Sequence, residues 1–147
     1  MIFAAAFIVF VLDRITKVMA LKLLSGSGSV KVVPDIFHLT LVFNNGTAFG
    51  LLKDQNTFFI LTSFLIVAAI LFYIWKKRIE DLALSFAAGL ILGGAAGNLF
   101  DRINFGGVVD FLDFRIWPVF NVADSCITAG ILLVAWKALR RKCTPSF

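Results

Sequence analysis

Four long apolar runs, roughly Ile2 to Leu24, Thr57 to Trp75, Leu82 to Phe100 and Val122 to Leu139, leave this chain little choice of fold. At about 1.5 Å per residue, each run can cross the roughly 30 Å hydrocarbon layer of a bilayer as a helix. Together they take up most of the 147 residues, of which 60% are hydrophobic and 17 are phenylalanine. With a mean hydropathy of +0.94, that make-up lies outside the range of a soluble domain. The expectation is an all-α membrane protein, one integral membrane domain over residues 1–147 forming a four-transmembrane-helix bundle. Two connections, about 25–56 and 101–121, then share one side of the membrane. The first run starts almost at the chain's first residue, so a short or absent cytoplasmic lead is expected. It lacks a basic leading region and carries Asp13, Arg14 and Lys17 inside it, which reads as a retained helix rather than a cleaved signal peptide.

The net charge of +5 and pI near 9.6 come from cations gathered at the ends of the runs, which is not the footprint of a nucleic-acid binder. Lys76-Lys77-Arg78 joins the second run to the third, and Lys137, Arg140, Arg141 and Lys142 follow the fourth. By the positive-inside rule these segments and both termini are cytoplasmic, and the connections 25–56 and 101–121 face outward. The first of these opens with the flexible SGSGS of Ser25 to Ser29. It continues as KVVPDIFHLTLVFNN, rich in β-branched and aromatic residues. A small extracytoplasmic β-sheet between helices 1 and 2 is expected there, resting on lipid or on the bundle. Cys126 and Cys143 have no CxxC spacing and no nearby histidine, so neither a zinc site nor a disulfide framework is expected; no cofactor is expected either. Gly89, Gly93 and Gly97 recur every four residues and predict close helix packing. Asn98 and Arg102 share a face at the outer end of the same run.

Asp101, Asp110, Asp113 and Asp124, half of the eight aspartates, lie between Gly93 and Ser125, and carboxylates at membrane depth are costly enough to mark function. Other nucleophile classes have less support. His38 is the only histidine and no serine or cysteine stands in an evident activating context beside it; GxSxG is absent; Ser125 and Cys126 follow Asp124, and with Lys17 as base a Ser-Lys dyad stays open. The stronger pattern is a pair of acids. Asp110 follows Gly106-Gly107, Asp124 follows Asn121 by three, and a turn at Trp117-Pro118 can bring them together. Two carboxylates held close share a proton, so that one activates water and the other donates to the scissile carbonyl or leaving amine. Singly, each aspartate can instead cap a helix or pair with Arg102 or Arg115. Asn98 and Asn121 can hold the acids or a peptide backbone, or serve as caps. Asp13 and Lys17 suit a helical ion pair, and Asn44-Asn45-Gly46 suits a turn.

Five segments, DRITK at Asp13 to Lys17, NNGTAF at Asn44 to Phe49, GNLFDR at Gly97 to Arg102, VVDF at Val108 to Phe111 and FNVADS at Phe120 to Ser125, resemble in order and spacing the lipoprotein signal peptidase (signal peptidase II) family. Its members are aspartyl proteases of the bacterial inner membrane, and the match covers nearly the whole chain. The resemblance implies Asp110 and Asp124 as a catalytic dyad. It implies that Asn44, Gly46, Asn98, Arg102, Asn121 and Ala123 line the pocket or hold substrate, and that Asp13 and Lys17 form a polar pair tied to stability or activity. It also implies a half-helix or loop bordering the site, and a diacylglyceryl-prolipoprotein substrate cut before its lipobox cysteine. The protein is expected to be a monomer in contact with membrane lipid, with its active site at the outer face. Phe49, Val108, Phe111 and Val122 are expected to give that site a lipid-facing wall. Two other classes compete: a small transporter or channel subunit with Asp13, Asp101 and Asp124 along an ion path, and a structural assembly factor. The gathering of the acids at one membrane face and the absence of repeated broken half-helices speak against the transporter.

Overall fold

In the computed structural model the described residues, 1–46, 56–76 and 79–142, form four helices and three strands. The helices are α1 (Ile2–Leu24), α2 (Asn56–Lys76), α3 (Leu82–Phe105) and α4 (Val122–Lys142); the strands are β1 (Ser29–Val33), β2 (Phe37–Asn44) and β3 (Val108–Asp113). Thr47 to Phe49 of the NNGTAF segment, Lys77 and Arg78 of the basic connection, and Cys143 lie outside the described residues.

The central element is α3, against which α1, α2 and α4 all pack. Its missing side chains explain why. A Cβ on Gly89 would stand 2.7 Å from Ala5 Cβ, one on Gly93 2.9 Å from Ala6 Cα, and one on Gly97 2.5 Å from an Asp13 carboxylate oxygen, so that face is cut to fit α1. Gly94, one residue on, is cut to fit α4 instead: its Cβ would lie 2.5 Å from the carbonyl oxygen of Ala123. With no hydrophobic drive between helices in lipid, such close backbone approach is the main source of packing energy.

The outward surface is apolar. Phe3, Phe7, Leu12, Ile15, Met19 and Leu23 of α1 are exposed, and α2 has no buried residue at all. Among the described residues three helices are long and apolar enough to cross a membrane, Asn56–Lys76, Leu82–Phe105 and the Val122–Arg140 part of α4. The 23 residues of α1 are long enough, but they include Asp13, Arg14 and Lys17.

The structure corrects the expected boundaries in two ways. The third helix continues five residues beyond Phe100, to Phe105, because Asp101 is buried and paired instead of ending the span; Gly106, at φ 76°, closes it in the left-handed conformation. The rest of the expected outer loop contains a strand, β3, which joins a single antiparallel sheet in the order β1-β2-β3. The sheet is therefore not confined to the connection between the first two helices. Its register sets His38 opposite Asp113, Val42 opposite Asp110 and Asn44 opposite Val108, with a bulge on β2 between Leu39 and Val42. Val108 and Phe111, expected to face lipid, are buried instead; Phe111 packs with Ala20 and Leu24 of α1 in the core cluster. Val122 is partly buried against that cluster.

Gly93→Leu is expected to destabilise the detergent-solubilised protein by about 1–3 kcal/mol, read as a fall in thermal-unfolding midpoint, since the added side chain meets α1 backbone. Gly26→Ala, with nothing within 4 Å of the new methyl, should leave the midpoint unchanged.

Candidate active site

Asn121 is the N-cap of α4, and the sequence Asn-Val-Ala-Asp makes a reciprocal cap. Its Oδ1 accepts from the Asp124 N–H at 2.9 Å, and Asp124 Oδ2 accepts from the Asn121 N–H at 3.4 Å. Asp124 thus does cap a helix, as either aspartate taken singly was expected to be able to do. The cap also positions it. With its oxygen committed to the helix end, the Asn121 amide must aim its Nδ2 away from α4, and that nitrogen donates to Asp110 Oδ1 at 2.6 Å. One fully buried residue therefore touches both carboxylates proposed from sequence, Asp110 through its side-chain amide and Asp124 through its backbone N–H.

Each acid has a second amide partner. Asn44, the last residue of β2, donates its Nδ2 to Asp110 Oδ2 at 2.9 Å, while its own Oδ1 accepts from the Gly46 N–H at 3.1 Å and holds the turn. Asn98 of α3 donates its Nδ2 to Asp124 Oδ1 at 2.7 Å. Its Oδ1 accepts from Lys17 Nζ at 2.9 Å and from Asn121 Nδ2 at 3.2 Å, which orients the amide. Asp110 sits on β3, 2% exposed. Burial in the first place, and the charge of Asp124 in the second, push its carboxyl up to about 7, against the hydrogen bonds from Asn44 and Asn121 that favour the anion. Asp110 thus keeps a proton close to neutrality.

Lys17, expected as a helical ion pair with Asp13, does pair with it at 2.9 Å, and it also reaches Asp101 at 2.8 Å. Arg14, unassigned from sequence, bridges the same two carboxylates, at 2.9 Å to Asp13 and 2.6 Å to Asp101. Asp13, Lys17 and Asp101 are at most 1% exposed. These four charges sum to zero, and removing one partner from such a buried set typically costs about 3–5 kcal/mol. Arg14 lies inside the DRITK segment, but nothing along the sequence distinguishes a residue that crosses to α3 from one that faces lipid.

Arg102, which the resemblance puts at the pocket and which an aspartate could alternatively pair with, places its guanidinium over the Phe59 ring at 5.3 Å and forms no salt bridge with a described residue; its charge acts on Asp124 and Asp110 from a distance. Ala123 is fully buried, its N–H donated to Asp13 Oδ1 at 3.1 Å. Ala123 and Asn121 offer no exposed surface here, so both support the acids from behind. A Ser-Lys pair is not formed: Lys17 is held by Asp13, Asp101 and Asn98, and Ser125 Oγ donates to the Asn121 carbonyl at 2.9 Å. His38 has Ser29 Oγ at 3.5 Å from Nδ1, a serine the sequence did not place there, but its Nε2 has no partner among the described residues. The nearby Asp113 is taken by Thr40 and Arg115. Among the described residues no cluster of metal-binding side chains is found.

Space reaches Asp124 from the apolar side. A groove of about 600 Å³ runs along α4 past Asp124, Ser125, Thr128 and Leu132 and is overhung by Ile116 and Trp117.

Comparison with known proteins agrees with this architecture. The chain matches the family model described as Signal peptidase (SPase) II over residues 5–140. It is 42% identical over 140 residues to the lipoprotein signal peptidase of Halothermothrix orenii, covering 93% of this chain and 96% of the relative. To that of Pelotomaculum thermopropionicum it is 45% identical over 132 residues, covering 90% and 87%. A solved bacterial membrane enzyme, determined by the in meso method at 2.3 Å, superposes with a TM-score of 0.87 at 33% identity, covering 95% of this chain and 87% of that one. With a family match running from residue 5 to residue 140 and relatives this similar over nearly their whole length, the chain belongs to the signal peptidase II family.

Proposed function

We propose that this protein is an aspartic endopeptidase that frees prolipoproteins of their signal peptides, cutting before the diacylglyceryl-modified lipobox cysteine, with Asp110 and Asp124 as its catalytic pair. The observation that carries this reading is the Asn121 side chain, which holds Asp124 through its oxygen and Asp110 through its nitrogen. Family membership supports the protease and its lipoprotein precursors as substrates; the chemistry follows from the acids.

The proton inventory divides the work. Asp124 as carboxylate takes a proton from water as its oxygen adds to the scissile carbonyl carbon, and protonated Asp110 donates to the carbonyl oxygen. When the tetrahedral intermediate collapses, the C–N bond breaks, Asp124 passes its proton to the leaving amine, and the intermediate's hydroxyl returns a proton to Asp110. Asn44, Asn98 and Asn121 hold the pair, and the Arg102 cation offsets negative charge that builds near it. The apolar groove beside Asp124 suits a lipid-borne substituent, because an acyl chain passing along α4 from the bilayer need not enter water. Lipid then fixes the depth of the scissile bond rather than adding affinity, since the chains are already in hydrocarbon before binding.

The site lies at the outer face of the bacterial cytoplasmic membrane in this reading, with four spans and both termini inside. The fourth span is α1. It puts Asp13 and Lys17 inward, buried and paired, while Phe3, Phe7, Ile8, Leu12, Ile15 and Leu23 face outward. A helix polar inside and apolar outside belongs in lipid despite its charges. A monomer suffices, because every side chain in this mechanism comes from one chain.

Three outcomes are expected. Asp110→Asn and Asp124→Asn should each lower cleavage of a lipidated preprotein in micelles by at least about a hundredfold, in protein that still folds. Ser125→Ala and Cys126→Ala should cleave normally, and unlipidated preprotein should be a poor substrate. The second outcome concerns pH. Because the Asp110 carboxyl is raised to about 7, its acid form is present below that pH and is lost above it. Turnover should therefore fall on an alkaline limb near 7, and a flat profile from about pH 6 to about pH 9 would contradict the acid role of Asp110. The third tests topology in spheroplasts of a Cys-free variant: an impermeant thiol reagent should label Ser27→Cys and spare Lys76→Cys.

A further inference from the structure

Behind the acid pair, two further carboxylates make matching hydrogen bonds. Asp13 Oδ1 accepts from the N–H of Ala123, the residue before Asp124, at 3.1 Å. Asp101 Oδ2 accepts from the N–H of Val109, the residue before Asp110, at 3.2 Å. Neither N–H has a ready backbone partner. Ala123 is in the first turn of α4, where amide protons are left over. Val109 is on β3, whose far edge is bridged by Phe120 at Leu112 but has no neighbouring strand beside Val109 among the described residues. Asp13 and Asp101 stand on different helices, and Arg14 and Lys17 each bridge the two. A continuous chain of contacts therefore runs from the backbone at Asp110 to the backbone at Asp124 without passing through either carboxyl.

We infer that Asp101 and Arg14, with Asp13 and Lys17, are positioning residues that set the spacing of Asp110 and Asp124 by gripping the main chain one residue before each acid. Packing alone would not need this arrangement, since well-fitted apolar side chains stabilise a helix interface as well as a buried ion set does. Ion pairs add a fixed distance. A planar guanidinium with one nitrogen on each carboxylate admits a narrow range of separations, whereas a lysine ammonium is a point charge on a flexible stem. Arg14 is the ruler on this account, and Phe100, whose ring lies 4.8 Å from the guanidinium carbon, keeps it in place. The inference rests on the acid-pair mechanism proposed above.

The test uses the full-length protein and two variants. Arg14→Lys keeps the charge and loses the rigid span. Arg14→Met combined with Asp101→Asn leaves the neutral Asp13–Lys17 pair and an acceptor for Val109, but removes the guanidinium span and leaves only the flexible lysine between the two helices. Both are expected to fold and to show kcat lowered about ten- to a hundredfold with KM within about twofold, since misplacement of about 1 Å can cost that much. The alkaline limb of the pH profile supplies a second readout. Charged or titratable groups acting on Asp110 are Asp124 from α4, Lys17 from α1 and Arg102 from α3. If the acids move apart, the charge of Asp124 acts less on Asp110 and the limb moves to lower pH, while a mere loss of nearby positive charge would move it higher. Arg14→Lys keeps its charge, so it should show the downward shift unmixed. Wild-type kcat and limb in folded variants, or failure of both variants to fold, overturns the inference. If Asp110→Asn is itself active, the acid-pair mechanism fails and this inference falls with it; an inactive Asp110→Asn alongside wild-type bridge variants overturns the inference alone.

Discussion

Two buried carboxylates with two cations between them hold this structure in register. Asp13 on α1 and Asp101 on α3 are fully buried, and each is bonded to both Arg14 and Lys17. Charge removed from water at this depth is tolerable only as a neutral set with its hydrogen bonds satisfied. That condition ties α1 to α3, then reaches β3 through Val109 and α4 through Ala123. Glycine makes it possible. At Gly97 any side chain would occupy the place of the Asp13 carboxylate, so the approach of two helices and the burial of the charges are one event.

On this base stands a layer of amides. Asn44, Asn98 and Asn121 each present a nitrogen to a proposed catalytic carboxylate, and each has its oxygen committed elsewhere, to Gly46, to Lys17 and to Asp124 N–H. An amide fixed at one end has no freedom to flip at the other. Charge pairs thus orient amides and amides orient acids, each layer leaving less freedom to the next. The preorganisation asked of general acid–base chemistry is of this kind: groups held in place before substrate arrives.

Much of the candidate site's geometry was legible in the sequence because its parts are local or chemically unusual. Asn121 three residues before Asp124 announces a cap, and the structure makes one. Aspartates beside apolar runs stand out against lipid, and the two favoured from sequence meet through Asn121. What escaped was contact at long range. Along the sequence β3 looks like loop because VVDFLD is short and lacks clean alternation, being buried on both faces; its partner β2 lies more than sixty residues earlier, as the Asn44–Asp110 bond shows. Val108 and Phe111 lie in the core and not against lipid, a distinction the sequence does not carry because an apolar side chain suits hydrocarbon and protein core equally.

By itself the sequence determined the medium and the main divisions of the fold. Apolar runs of this length are stable as helices in a bilayer whatever they touch, since a helix satisfies its own backbone hydrogen bonds. It also determined which residues are too costly to bury idly. Only the tertiary structure decided their division of labour: that Asp110 and Asp124 share Asn121, that Asp13 and Asp101 support the main chain behind them, and that Arg14 spans the two while Arg102 stacks on Phe59. The physical reason is that a charge in a low-dielectric interior is defined by its partners within a few ångströms. Those partners come from α1, α3, β3 and α4, elements separated by up to 110 positions along the chain.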